Sequence, residues 1–184
     1  MKKAPSRSRV LTGGAVAAAL VLGGFGAYSA SATGEDATSA PAPAAAKNKN
    51  TVESTHLTIE AAVKAARATL DAAGAEGQRV SVAVVDRNGN TLVTLRGDGA
   101  GPQSYESAVK KAFTAVSWNA PTSELAERLT NAPNLKDIPG TLFLGGGAPV
   151  TAKGAPIAGI GVAGAPSGDL DEKFARIGVA SLTK

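Results

Sequence analysis

The chain has 184 residues, with 19 Lys and Arg against 15 Asp and Glu, one His, no Cys and 43% hydrophobic residues. Without cysteine, a disulfide scaffold and all thiolate chemistry are excluded, and the core alone must hold the fold. The four basic residues behind the net charge of +4, Lys2, Lys3, Arg7 and Arg9, all precede Val10 in a stretch without acids; the rest of the chain is neutral, so the alkaline pI gives no support to nucleic-acid binding.

The predicted elements begin with an export signal. A positive start, an uncharged run from Val10 to about Ala30 and the small-residue triplet Ala30-Ser31-Ala32 predict a signal peptide over 1–32. The run matches a membrane span of roughly 20 residues in length. Its Gly and Ala content and small-residue exit favour cleavage, which leaves no stable membrane insertion. Arg7 and Arg9 are not adjacent, so the export route stays open. Residues 33–51 are Ala/Pro-rich without large apolar side chains and read as a flexible or extended leader. Residues 52–184 remain, enough for one domain.

Within that domain, Ile59, Ala62, Val63, Ala66, Leu70 and Ala73 recur at helical spacing, which predicts a helix over Leu57–Ala73 with Thr58 as N-cap. Val80–Val85 reads as a buried strand. Asp86–Asn90, with Asn88-Gly89 at its centre, is a turn, and Thr91–Arg96 is the returning strand. A second helix should start near Ser104 with Tyr105, Ala108, Val109, Ala112, Phe113 and Val116 in its core stripe. Pro121 ends it, and Thr122 caps a short helix carrying Leu125 and Leu129. Leu142–Leu144 reads as a short strand running into Gly145-Gly146-Gly147. A hairpin of Ala148–Thr151 and Ile157–Ala163 turns near Lys153-Gly154, and a last helix follows Ser167. Hairpins dominate this order, so the expected fold is α+β: one antiparallel sheet packed with helices.

Catalytic equipment is sparse. The triple glycine is followed by Ala148-Pro149-Val150 and not by the Lys-Ser/Thr pair of a phosphate cradle, so it reads as a bend in the sheet. His56 is the sole histidine and precedes the first helix. It serves either as a solvated residue or as a metal or haem ligand; as the base of a Ser-His-Asp site it would be poorly fixed. Glu124/Glu127 and Asp169/Glu172 each place two carboxylates three residues apart. Such a pair either offsets a helix dipole or meets a hard cation such as iron. Around Thr114, helical spacing gathers Lys110, Lys111 and Trp118. That face combines a hydroxyl, two cations and an aromatic plane. It suits either a flat macrocycle with carboxylate arms or a subunit contact made by Trp118, and threonine lies outside the usual haem ligands.

Five stretches in this order are similar to the GlcG/HbpS-type family of haem-binding proteins, known in actinobacteria, with relatives in glycolate and propanediol operons. They are Leu57–Ala62, Val82–Gly89, Lys111–Ala115, Gly145–Gly147 with Pro149-Val150, and Ile160–Val162 leading to Asp171-Glu172. The resemblance covers 57–182 and implies a GlcG-like fold and a homo-oligomer, often an octamer. It further implies a secreted, extracellular protein, cell-wall associated in some settings, that binds haem and iron. Such a protein would sequester them and act as an accessory redox or haem sensor for a membrane sensor kinase of a two-component system. The resemblance attributes the haem iron to a threonine, here Thr114; some relatives use a histidine near the first helix, here His56. The protein is then not an enzyme, although bound haem would give weak peroxidase-like activity. Two rival expectations are a structural or signalling scaffold that docks on a receptor without a required ligand, and an enzyme acting on a small organic acid.

Overall fold

The computed structural model describes residues 43–183. The signal peptide over 1–32 and most of the leader lie outside the described residues. Pro43–Ser54 is exposed and carries one 3-10 turn, Asn48–Asn50. No helix among the described residues is long and apolar enough to cross a membrane.

Eight regular elements follow: α1 (Ile59–Ala75), β1 (Ser81–Asp86), β2 (Thr91–Arg96), α2 (Ser104–Trp118), α3 (Thr122–Glu127), β3 (Gly147–Ala152), β4 (Ala155–Ala163) and α4 (Gly168–Ser181). The four strands form one antiparallel sheet in the order β2-β1-β4-β3. Side chains alternate across it. On one face Val82, Val84, Ile160 and Val162 join Ala62, Ala65, Ala66 and Ala73 of α1 and Phe174 and Ala175 of α4. On the other, Ala83 and Val85 meet Ala108, Ala112 and Val116 of α2. The result is the expected α+β architecture, with helices on both faces of the sheet.

The helix caps and hairpins follow from local chemistry. Thr58 caps α1, its hydroxyl accepting from the Ala61 N–H. The β1–β2 turn closes on Asp86, whose Oδ1 accepts from the backbone N–H groups of Asn88 and Asn90, both at 2.8 Å. Lys153 and Gly154, with φ of 52° and 77°, make a left-handed pair at the β3–β4 turn, the backbone that two-residue hairpins favour.

Three local expectations are corrected. Leu142–Leu144 is not a strand. Phe143 is buried in a small third cluster with Leu125 and Ala120, bordered by Trp118, Leu129 and Leu135, so this apolar triplet is anchored by packing instead of by a ladder. Thr122 does not cap α3; its hydroxyl accepts from the Gly147 N–H at 2.7 Å. The buried stripe of α2 is rotated away from Tyr105, which is 50% exposed, toward Ala108, Lys111, Ala112 and Ala115. The cause is β4. A Cβ on Gly159 would run into the Ala112 carbonyl, and one on Gly161 into the Ala108 carbonyl, so the helix backbone lies directly on a glycine track that only an alanine face can approach.

Candidate functional site

The predicted face around Thr114 is not a face in the folded chain. Thr114 is fully buried. Its hydroxyl donates to the Lys110 carbonyl at 2.7 Å and accepts from the Leu142 N–H at 2.8 Å, so the segment before Gly145 is fastened over it. Both hydrogen-bonding directions of the oxygen are used. Trp118 stands edge-on to Phe143, ring centroids 5.2 Å apart, and belongs to the third cluster. Lys110 is half-buried and pairs along its own helix with Glu106 at 3.2 Å. The expectation of an open threonine flanked by two free lysines is therefore corrected. The loop from Ile138 to Leu144 covers the outer side of α2, a long-range contact that helical spacing does not reveal.

Lys111 departs furthest from its expected role. It is 5% exposed. Its ammonium donates to Asp171 Oδ2 at 2.8 Å and to the Val162 carbonyl at 3.0 Å. Asp171 Oδ1 also accepts from the Ala165 N–H. Burial pushes the Asp171 carboxyl above its usual range, and the Lys111 ammonium and the Ala165 and Gly164 N–H groups pull it back only in part. Gly146 makes room for this pair: a Cβ there, at φ of 128°, would lie 2.6 Å from the Val162 carbonyl, 2.7 Å from Lys111 Nζ and 2.9 Å from the Asp171 Cβ.

Glu172, the next residue, is also buried. Its Oε1 accepts from Ser123 Oγ at 2.8 Å and from Arg176 Nη2 at 2.7 Å, and its Oε2 from Ser123 N at 2.9 Å. It therefore shares no cation with Asp169, which is exposed on the first turn of α4; that acidic pair is corrected. Burial alone would raise the Glu172 carboxyl, but the Ser123 and Gly146 N–H groups, the Arg176 guanidinium and the Ser123 hydroxyl outweigh it and hold it below its ordinary value. Glu124 and Glu127 are both exposed and line one open concavity of about 580 Å³ with Arg128 and Thr130. Among the described residues no three His, Cys, Asp or Glu side chains gather as a metal group.

The sequence reading missed Asp171, Ser123 and Arg176 as parts of one junction tying α2, the start of α3, the glycine run and α4 together. One signal was available: Asp171 lies three and four residues before Phe174 and Ala175, which puts it on the core face of its helix.

The two depressed carboxyls set a pH prediction. A carboxyl held below its unfolded value stabilises the fold above that value and loses the contribution as pH falls. Glu172 and Asp86 are of this kind. Asp171, raised by burial, acts in the opposite sense and loses its contribution as pH rises. Urea titrations between about pH 6 and 3 are expected to show stability falling on acidification, with a visibly smaller fall in Glu172→Gln. An equal fall in both proteins would remove Glu172 as a source.

His56 lies before α1, exposed, with its Nε2 2.6 Å from Ser54 Oγ. It sits close enough to the β1–β2 turn to lower the Asp86 carboxyl electrostatically, although that carboxyl is set chiefly by burial against the donors of Asn90 and Asn88. Among the described residues it is the sole histidine; there is no cysteine, and the chain's one methionine is Met1, outside them.

A family model described as haem degrading protein HbpS-like matches residues 57–180, from just before α1 to within α4. The crystal structure of a Glu-to-Asp double mutant of Streptomyces reticuli HbpS is 76% identical with a TM-score of 0.75, covering 77% of this chain and 97% of that one. A structure titled as a PduOC:haem complex is 28% identical with a TM-score of 0.64, over 69% and 95% of the two chains. An uncharacterised 15.0 kDa protein from the dhaT–dhaS intergenic region of Citrobacter freundii is 33% identical over 113 residues, 59% of this chain and 80% of its own. With a match running through all eight elements of the fold, the chain belongs to the HbpS-like family.

Proposed function

We propose that this protein is a secreted haem-binding protein that takes up haem outside the cell through His56. The observation that carries the reading is membership of the HbpS-like family together with a haem-complexed relative whose chain is matched over 95% of its length. Burial and hydrogen bonding favour one of the two candidate donors. The Thr114 oxygen is buried and engaged in both directions, so it does not fit an axial role in the folded protomer. His56 fits: it is exposed, only its Nε2 carries a partner, and imidazole is an ordinary haem ligand. Phe113, half-buried against Gly89 and Gly140, offers an apolar flank on the outer side of α2.

The remaining parts of the reading rest on the family and the sequence. Export follows from the predicted signal peptide. Of the two acidic pairs, Glu124 and Glu127 are the carboxylates still exposed together, and iron taken up at the surface would meet them. Assembly, into an octamer by the family resemblance, would cover apolar side chains left in solvent: Ile59, Val63 and Ile177 are 57%, 44% and 37% exposed on α1 and α4. An oligomer of this kind would sequester haem and iron and report to a membrane sensor kinase without performing a reaction of its own.

Titration of the full chain with hemin, followed in the Soret band, tests the reading. Saturable binding is expected in the wild type, weakened tenfold or more in His56→Ala. Thr114→Ser, which keeps the hydroxyl, should bind as the wild type does. Equal affinity in wild type and His56→Ala would remove the ligand assignment, and no saturable band in the wild type would remove the haem reading itself.

A further inference from the structure

A cleft of about 430 Å³ lies on the side of the molecule where the C-terminal half of α4 faces β3 and the entry to α3. One wall is a stripe of α4, Arg176, Val179 and Ala180, continued just past the helix end by Thr183. The facing wall is Pro121, Ala148 and Pro149. The lining is apolar except for one guanidinium at one end and one hydroxyl at the other.

The guanidinium is more than half exposed and tethered at one nitrogen. Arg176 Nη2 donates to Glu172 Oε1 at 2.7 Å, and Glu172 is itself buried. The glutamate's charge is spread over Ser123 Oγ, Ser123 N and Gly146 N as well. The contact to Glu172 uses Nη2 alone, which leaves the rest of the guanidinium for a second acceptor at the mouth of the cleft. A guanidinium tethered at the end of an apolar slot suits a carboxylate on an apolar body. The volume is in the range of small-molecule sites.

We propose that this cleft binds an aliphatic monocarboxylate, its carboxylate on Arg176 and its chain along Val179 and Ala180 toward Thr183. The orientation follows from electrostatics: the negative end of α4 lies at the Thr183 side and repels the carboxylate toward Arg176. Nothing in this assignment depends on haem.

The test uses the full chain and octanoate as the probe, with amide shifts of Val179 and Ala180 followed by NMR. Saturable shifts are expected, with 1-octanol, the same chain without charge, binding at least tenfold more weakly. Arg176→Gln should weaken octanoate tenfold or more and leave octanol unchanged, while Arg176→Lys should bind more tightly than Arg176→Gln. Ala180→Trp, which fills the slot with Arg176 intact, should abolish binding of both probes. Circular dichroism confirms that each variant is folded before it is scored. No saturable shift with octanoate, equal binding of octanol, or unchanged affinity in Arg176→Gln would each overturn the proposal.

Discussion

Lys111→Ala is expected to lower the free energy of unfolding by about 3–5 kcal/mol, the usual loss when one member of a buried ion pair is removed. The loss is large because Asp171 is left as a buried charge with only backbone N–H groups for partners. The carboxylate is 3% exposed and its second oxygen is committed to the Ala165 N–H. The Val162 carbonyl loses its ammonium donor in the same step. The lone Asp171 would respond by holding its proton to higher pH. A carboxyl raised in the folded state favours folding at low pH and loses that contribution as pH rises, so the deficit of Lys111→Ala should be smaller in acid than at neutrality. The double variant Lys111→Met/Asp171→Leu removes both charges and is expected to recover part of the loss, the part due to the uncompensated charge, while the Val162 carbonyl and Ala165 N–H still lack their partners. Chemical denaturation of the three proteins measures this. A single-variant loss below about 1 kcal/mol would show that water reaches the pair.

That ion pair also marks where the sequence stops being informative. Its partners are 60 residues apart, on two different helices. Local spacing places Lys111 beside Thr114, and so a lysine that locks the interior reads as a free cation. Signals of short range behave differently. The Thr58 cap, the Asp86–Asn90 turn and the left-handed Lys153-Gly154 turn each depend on a few consecutive residues, and each is found where the sequence places it. The site falls between these cases. His56 stands out by composition alone, as the one histidine in the chain, whereas the burial of Thr114 depends on Leu142 arriving from 28 residues away. The face of α2 differs from the sequence expectation for a related reason. Periodicity centres the stripe between Ala108-Ala112 and Tyr105-Phe113, and the structure shifts it toward Lys111 and Ala115. Only the glycines of β4 reveal that shift, because hydrophobicity counts the size of a side chain and takes no account of the room a missing one leaves.

Gly161→Ala is expected to destabilise the protein by about 3 kcal/mol, at the upper end of what overpacking a core costs. The residue lies in the middle of the sheet, paired with Ala83 on β1 and Gly147 on β3, and cannot shift sideways without disturbing both ladders. Its new Cβ would meet the backbone of α2, with the Ala108 carbonyl too close for any carbon and the Ala112 nitrogen at 2.5 Å. Backbone atoms cannot rotate away as a flexible side chain can, so the whole helix must lift from the sheet. Lifting it pulls Ala108 and Ala112 off Ala83 and Val85 and strains the Lys111–Asp171 contact at the same time. Gly154→Asn is the control. That glycine has φ of 77° with open space around it, and asparagine tolerates the left-handed turn, so its effect should stay within about 1 kcal/mol. The contrast separates two uses of glycine, conformational at the hairpin and steric under the helix. It also reaches the proposed function. A lifted α2 would loosen the Thr114–Leu142 hydrogen bond that closes the loop over the threonine. If haem is held by His56, hemin affinity in Gly161→Ala should follow the folded fraction alone. Affinity that rises as the helix loosens would instead point back to the buried hydroxyl.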